Sequence, residues 1–113
     1  MSRREEIPVI DVLVGARALV AKKGGWIQRT FQRIGLRKPG QAKMCYCASG
    51  AIRKVATGSA SDISPVARRA LDLLRTAAGT KKITAWNDAA TRTQAEVVSA
   101  FDAAIELAKK DAA

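Results

Sequence analysis

Cys45 and Cys47 stand two residues apart, and Asn87 and Asp88 follow Trp86, with Arg92 four residues beyond Asp88. These are the side chains whose types and spacing suit chemistry. The sequence has no histidine, which removes the Ser/His/Asp and Cys/His nucleophilic schemes and the commonest metal ligand together. A structural zinc site takes four ligands, and no third Cys or His is present to join the Cys-x-Cys pair. No metal and no cofactor is implied, and no residue is assigned a catalytic role. Positions two apart on a helix point to different sides, so a disulfide between these cysteines is not expected. Cys45 is expected in the core, and Cys47 on a helix packing surface or at its edge, where a free thiol behaves as a small hydrophobe.

Trp86, Asn87, Asp88 and Arg92 form a polar set that suits either a ligand or the turn leading into the last helix. Short polar side chains are what turns require, and a Trp beside them can anchor the loop to the core, so the anchoring turn is the favoured reading. Gly24-Gly25 and Gly35 lack the strand-then-helix context of a phosphate loop.

Charge is the other chemical feature. Twenty Lys and Arg oppose ten Asp and Glu, a net +10. Residues 1–54 carry 12 bases and 3 acids (+9), whereas residues 55–113 carry 8 and 7 (+1). From Lys22 to Lys54 there are nine bases and no acid. Such a segment collects anions; Lys22, Lys23, Arg29, Arg33, Arg37, Lys38 and Lys43 are its candidate anion- or nucleic-acid-binding residues.

The elements that must position these groups read as helices. Pro8 suits a first turn, with Val9, Leu13, Ala16, Leu19 and Val20 as the apolar stripe and Val12 beside it. Asp11, Gly15 and Lys22 lie opposite, and Gly24-Gly25 closes the helix. Residues 26–43 are ambiguous: Trp26, Ile27, Phe31 and Ile34 fit one side of a short helix, but their β-branched and aromatic content equally suits a hairpin or an extended arm. An irregular or extended basic arm is expected there. A second helix is expected from Gln41, with Met44, Cys45, Ala48, Ile52 and Val55 at helical spacing. Ser64 and Pro65 open a third, with Val66, Ala67, Ala70, Leu71 and Leu74 inward and Gly79 at its end. Trp86 to Asp88 is expected to be loop. Thr93 and Glu96 have capping-box spacing, and Val97, Phe101, Ala104, Ile105 and Ala108 form one stripe of the last helix.

The chain is therefore expected to be an all-α domain, a compact bundle of about four helices over residues 8–110. A basic arm spans about 26–43, with tails at 1–7 and 111–113. At 113 residues one core is expected, and with 48% hydrophobic but only 4% aromatic residues it should be thin. No apolar run reaches the ~20 residues that span a bilayer. The start is a poor signal peptide, so a cytoplasmic location is expected.

The order Gly25-Trp26, Cys47-Ala48-Ser49-Gly50-Ala51-Ile52, Trp86-Asn87-Asp88, Arg92-Thr93 and Glu96-Val97 resembles a small family of uncharacterised proteins from actinobacteria and their phages. The resemblance runs from about Val9 to Ala108 and departs in the basic segment 28–43. It implies a bacterial or phage origin and supplies no activity, catalytic residue or cofactor.

Three functions follow from these readings. A non-enzymatic protein binding nucleic acid without strong sequence preference leads, since no base-reading module is present. A protein-interaction module docking on an acidic protein surface comes next. An enzyme built on Asp88, Asn87 and Arg92 comes last. No membrane partner is expected, and the oligomeric state is not read from the sequence.

Overall fold

The computed structural model describes residues 7–34 and 39–112. Arg37 and Lys38, most of the expected tails, and Gly35 in the expected arm lie outside them. The elements run α1 (Val9–Ala21), β1 (Gln32–Ile34), β2 (Met44–Tyr46), α2 (Ala48–Thr57), α3 (Pro65–Ala78), α4 (Ile83–Asn87) and α5 (Gln94–Ala112).

Helix α1 is central, packing against α5, α2 and α3, while α3 closes the other side against α5 and α2. Its stripe is inward as expected: Val12, Leu13, Ala16 and Val20 are fully buried. Gly15, expected on the outer side, instead faces α2; a Cβ there would stand 3.0 Å from a Val55 methyl. The last carbonyls of a helix need partners from outside it. Here Gln94 of α5 supplies them, its Nε2 donating to Val20 O at 2.7 Å and Lys22 O at 2.8 Å.

Helix α3 begins as expected, with the Ser64 hydroxyl accepting from Ala67 N and Pro65 in the first turn, and ends at Gly79 in the left-handed region. The capping box before α5 is formed: Glu96 Oε1 accepts from Thr93 N at 2.9 Å, and Thr93 Oγ1 accepts from Glu96 N at 3.2 Å. Val97, Phe101, Ala104, Ile105 and Ala108 are buried along one side.

Two further expectations are corrected. The chain is mostly helical but not all-α, because β1 and β2 form a two-stranded antiparallel sheet pairing Gln32 with Tyr46, Arg33 with Cys45 and Ile34 with Met44. Met44 and Cys45, expected in the second helix, are in β2. The periodicity that joined them to Ala48 and Ile52 spans a strand and the first turn of a helix. Cys47 divides the two, its extended backbone and its sulfur capping α2 by accepting from Gly50 N at 3.2 Å. The strand β2 has a partner along both edges. β1 takes one edge, and residues 25–27 take the other through Tyr46 N to Gly25 O and Ile27 N to Tyr46 O. The segment expected to be an irregular or extended arm thus contains a strand, whose three residues are all exposed. The second correction is at Trp86-Asn87, which lies in the short helix α4 rather than in a loop; Asp88 is its C-terminal cap.

Gly50 explains how the sheet seats on α2. A Cβ at this position would overlap the carbonyl oxygen and main chain of Phe31, so the missing side chain lets the approach to β1 lie directly on the helix. That carbonyl also accepts from Cys47 N at 3.3 Å.

Candidate functional site

Asn87 is the only buried side-chain amide among the described residues, with no exposed surface. Burying an amide without partners costs several kcal/mol, and every position on this one is used. Its Oδ1 accepts from Trp26 Nε1 at 2.7 Å and from Ala48 N at 3.0 Å. Its Nδ2 donates to Ile27 O at 3.1 Å and to Asp88 Oδ1 at 3.0 Å. One side chain therefore ties the segment after α1, the first turn of α2 and the end of α4 together.

The neighbours extend this node. Gln28 Nε2 donates to Asn87 O at 2.9 Å and to Ala89 O at 2.8 Å. Asp88 Oδ1 also accepts from Arg29 N at 2.8 Å. Arg29 is the one non-glycine residue with positive φ among those described, at 72°. An L residue there carries local strain of about 1–2 kcal/mol, and the Asp88 carboxylate holds it in place. Arg92 Nε donates to Trp86 O at 2.8 Å, and its guanidinium lies 4.0 Å from the Trp86 ring centroid, with Glu96 3.5 Å away. The four residues read as one polar set thus divide. Asn87 and Asp88 bind residues 26–29, whereas Trp86 and Arg92 stack on each other towards α5.

A cavity of about 260 Å³ opens beside the node, lined by Arg29, Thr30, Phe31, Cys47, Thr84 and Asp88. Cys47 is its nucleophile candidate by residue type. Burial pushes the Cys47 thiol up, and Asp88 adds in the same direction, against the downward pull of the Gly50 and Ser49 N–H groups. At neutral pH this sulfur is a protonated thiol, whereas nucleophilic chemistry needs the thiolate. Cys45 is equally sheltered, its Sγ donating to Arg33 O at 3.0 Å. Among the described residues no three of His, Cys, Asp and Glu stand together as metal ligands.

The cations are disposed differently. Lys22, Lys23, Arg29, Arg33 and Lys43 are all exposed. The fold brings Lys23 and Lys43 close, since Ala42 N donates to Lys23 O at 2.8 Å, and the sheet register places Arg33 across from Cys45, two residues from Lys43. Arg29 is tied by its backbone to the end of α4, its N donating to Asp88 Oδ1 at 2.8 Å. Ion pairs join Arg17 to Asp102, Arg69 to Asp111, Arg75 to Asp72, Arg92 to Glu96 and Lys109 to Glu106. Among the described residues none uses a cation from residues 22–54.

Residues 4–107 match the model of a family of unknown function, DUF6197. The chain belongs to that family. No curated protein and no solved structure matches this DUF6197 chain.

Sequence reasoning on the DUF6197 chain passed over Gln28, whose amide bridges two carbonyls of residues 87–89. A glutamine sixty residues away carries no spacing signal for that role. Trp26 was read as part of an apolar side, and its indole N–H was the available hint: a buried Trp needs an acceptor, and Asn87 is that acceptor.

Proposed function

We propose that the chain binds nucleic acid without strong sequence preference, through the exposed cations of residues 22–54. The observation that carries this reading is the pattern of ion pairs among the described residues: Arg17, Arg69, Arg75, Arg92 and Lys109 each meet a carboxylate, and no cation of residues 22–54 does. Unpaired cations near a mobile polyanion release its condensed counterions on binding, and this sequence-independent term supplies most non-specific affinity. Lys23, Arg33 and Lys43 come from three separated stretches and are gathered by the sheet and its contact with the end of α1. The proposed role is positional contact with phosphates, not the reading of bases.

Reversing Lys23, Arg33 and Lys43 to Glu tests it. All three side chains are exposed, so the melting curve should stay close to wild type. Affinity for a duplex or single-stranded oligonucleotide should fall at least ~10-fold at low salt, and the salt dependence should become shallower by about 2.7 for three lost duplex contacts. Unchanged affinity in the triple variant would remove this segment from the interface.

A second reading has its own observation. Ile34 is 72% exposed and Phe31 37% exposed, both on or beside the edge strand β1 among the cations. An exposed edge strand is a template for another chain, which supports docking on an acidic protein surface. That reading predicts the same sensitivity to charge reversal but no affinity for nucleic acid alone.

A further inference from the structure

A second cationic feature lies away from the sheet, where α2, the loop after it and α3 meet. Arg53, Arg68 and Arg75 line one cavity of about 270 Å³, together with Ile63, Leu71 and Asp72. Three arginines therefore border one small space with a single carboxylate. Asp72 is committed to Arg75, with Nη1 donating to Oδ1 at 2.6 Å, which leaves the cavity wall at +2.

The three arginines differ in how firmly they are held. Arg53 is braced, its Nε donating to Ser49 Oγ at 3.1 Å and its Nη1 to Ser61 O at 3.4 Å, with the guanidinium 5.0 Å from the Phe31 ring centroid. Arg75 is half-braced by Asp72, and its Nε is buried with no hydrogen-bond partner. Arg68 is exposed, and its side chain has neither carboxylate nor hydrogen-bond partner among the described residues. Like charges that border one space repel, and Asp72 is the one carboxylate among the residues that line it. A wider cavity of about 660 Å³ shares Asp72 and Arg75 and adds Thr76, Gly79, Thr80 and Lys81, so one more cation, Lys81, stands beyond the end of α3.

We propose that this cavity binds a phosphoryl group, either inorganic phosphate or the terminal phosphate of a monoester. A phosphate monoester is close to a dianion above pH ~6, which matches the +2 of the wall. Its oxygens accept from the paired N–H groups of guanidinium in a geometry that an ammonium does not reproduce. The braced Arg53 and Arg75 present their remaining N–H groups from two sides, and the free Arg68 closes on the anion. This goes beyond the proposed polyanion interface, since two of its three cations lie outside residues 22–54.

The test is a titration of ¹⁵N-labelled protein with inorganic phosphate at constant ionic strength, following the arginine Nε–H resonances. The expected result is saturable shifts at Arg53, Arg68 and Arg75, with Arg33 unmoved. Arg68→Gln, an exposed change that leaves the fold intact, should weaken phosphate binding roughly tenfold or more, the range for a lost charge-assisted hydrogen bond. Shifts that rise linearly and are reproduced by chloride would overturn the proposal. So would Arg68→Gln and Arg53→Gln variants that both bind phosphate as tightly as wild type. A second arm compares one oligonucleotide with a 5′-phosphate and with a 5′-hydroxyl. Tighter binding of the phosphorylated form, lost in Arg68→Gln, makes the strand end the source of the phosphate; equal binding alongside saturable phosphate shifts makes it a free phosphate. The phosphate arm contains no nucleic acid, so its failure is distinct from failure of the polyanion reading.

Discussion

Asn87→Ala should lower the stability of the domain by about 3–6 kcal/mol, a loss that competes with the whole ~5–15 kcal/mol of a typical domain. The substitution removes no large apolar surface. It leaves the Trp26 indole N–H, the Ala48 N–H and the Ile27 carbonyl without their partner in a buried site. Each orphaned buried group costs about 1–3 kcal/mol, and partial relaxation keeps the sum below the upper limit. Thermal melting and Trp emission read the effect together, because Trp26 loses its acceptor in the same step. Asn87→Asp separates the roles: it keeps an acceptor but loses the donor to Ile27 O and sets a second carboxylate beside Asp88. It should also destabilise, and more at neutral pH than in acid. An Asn87→Ala variant melting within ~1 kcal/mol of wild type would show that the node does not hold the segment after α1 in place.

The second large effect is expected at Phe101. The ring is fully buried on α5, the helix that packs against both α1 and α3. Phe→Ala in such a position costs about 3–5 kcal/mol, the transfer term plus the cavity left behind. For a chain of this size that corresponds to a drop in melting temperature of roughly 12–20 °C. The alanine content of the core sharpens the expectation. Ala16, Ala67, Ala70, Ala100 and Ala104 of the same core are already minimal side chains, which limits how far the core can close over the space. Chemical denaturation with an unchanged m-value would assign the loss to the native state. A midpoint close to wild type would place the ring outside the core.

The helices were legible where one residue type could serve only one purpose. Ser64-Pro65, Gly79 and the Thr93/Glu96 pair mark termini by chemistry that does not depend on the rest of the fold, and the stripes of α1, α3 and α5 follow from their spacing. The strand at Met44–Tyr46 was not legible for the opposite reason. Three apolar residues directly before an amphipathic helix extend its period, and only their long-range partners decide otherwise. Those partners are Gln32–Ile34 and Gly25–Ile27, which no local pattern connects to residues 44–46. The polar node behaved in the same way. Asn87 and Asp88 stood out by type, but a loop was read where the short helix α4 turns Asn87 into the interior, and the hydrogen bonds to residues 26–29 became visible only with the chain folded. The charge imbalance, in contrast, was fully present in the sequence, and the fold adds which of those cations are exposed and unpaired.

The most direct test of the functional account is equilibrium binding of the wild-type protein to duplex and single-stranded oligonucleotides across a salt series. If about five phosphates are neutralised on the duplex, log K should fall with log salt at a slope near −4.5, with about three decades of affinity lost between 50 and 200 mM salt. Affinity should change little when the oligonucleotide sequence is scrambled, because contacts to phosphates carry no base information. No binding at tens of micromolar protein in low salt would contradict the account and leave docking on an acidic protein surface as the role of the exposed cations.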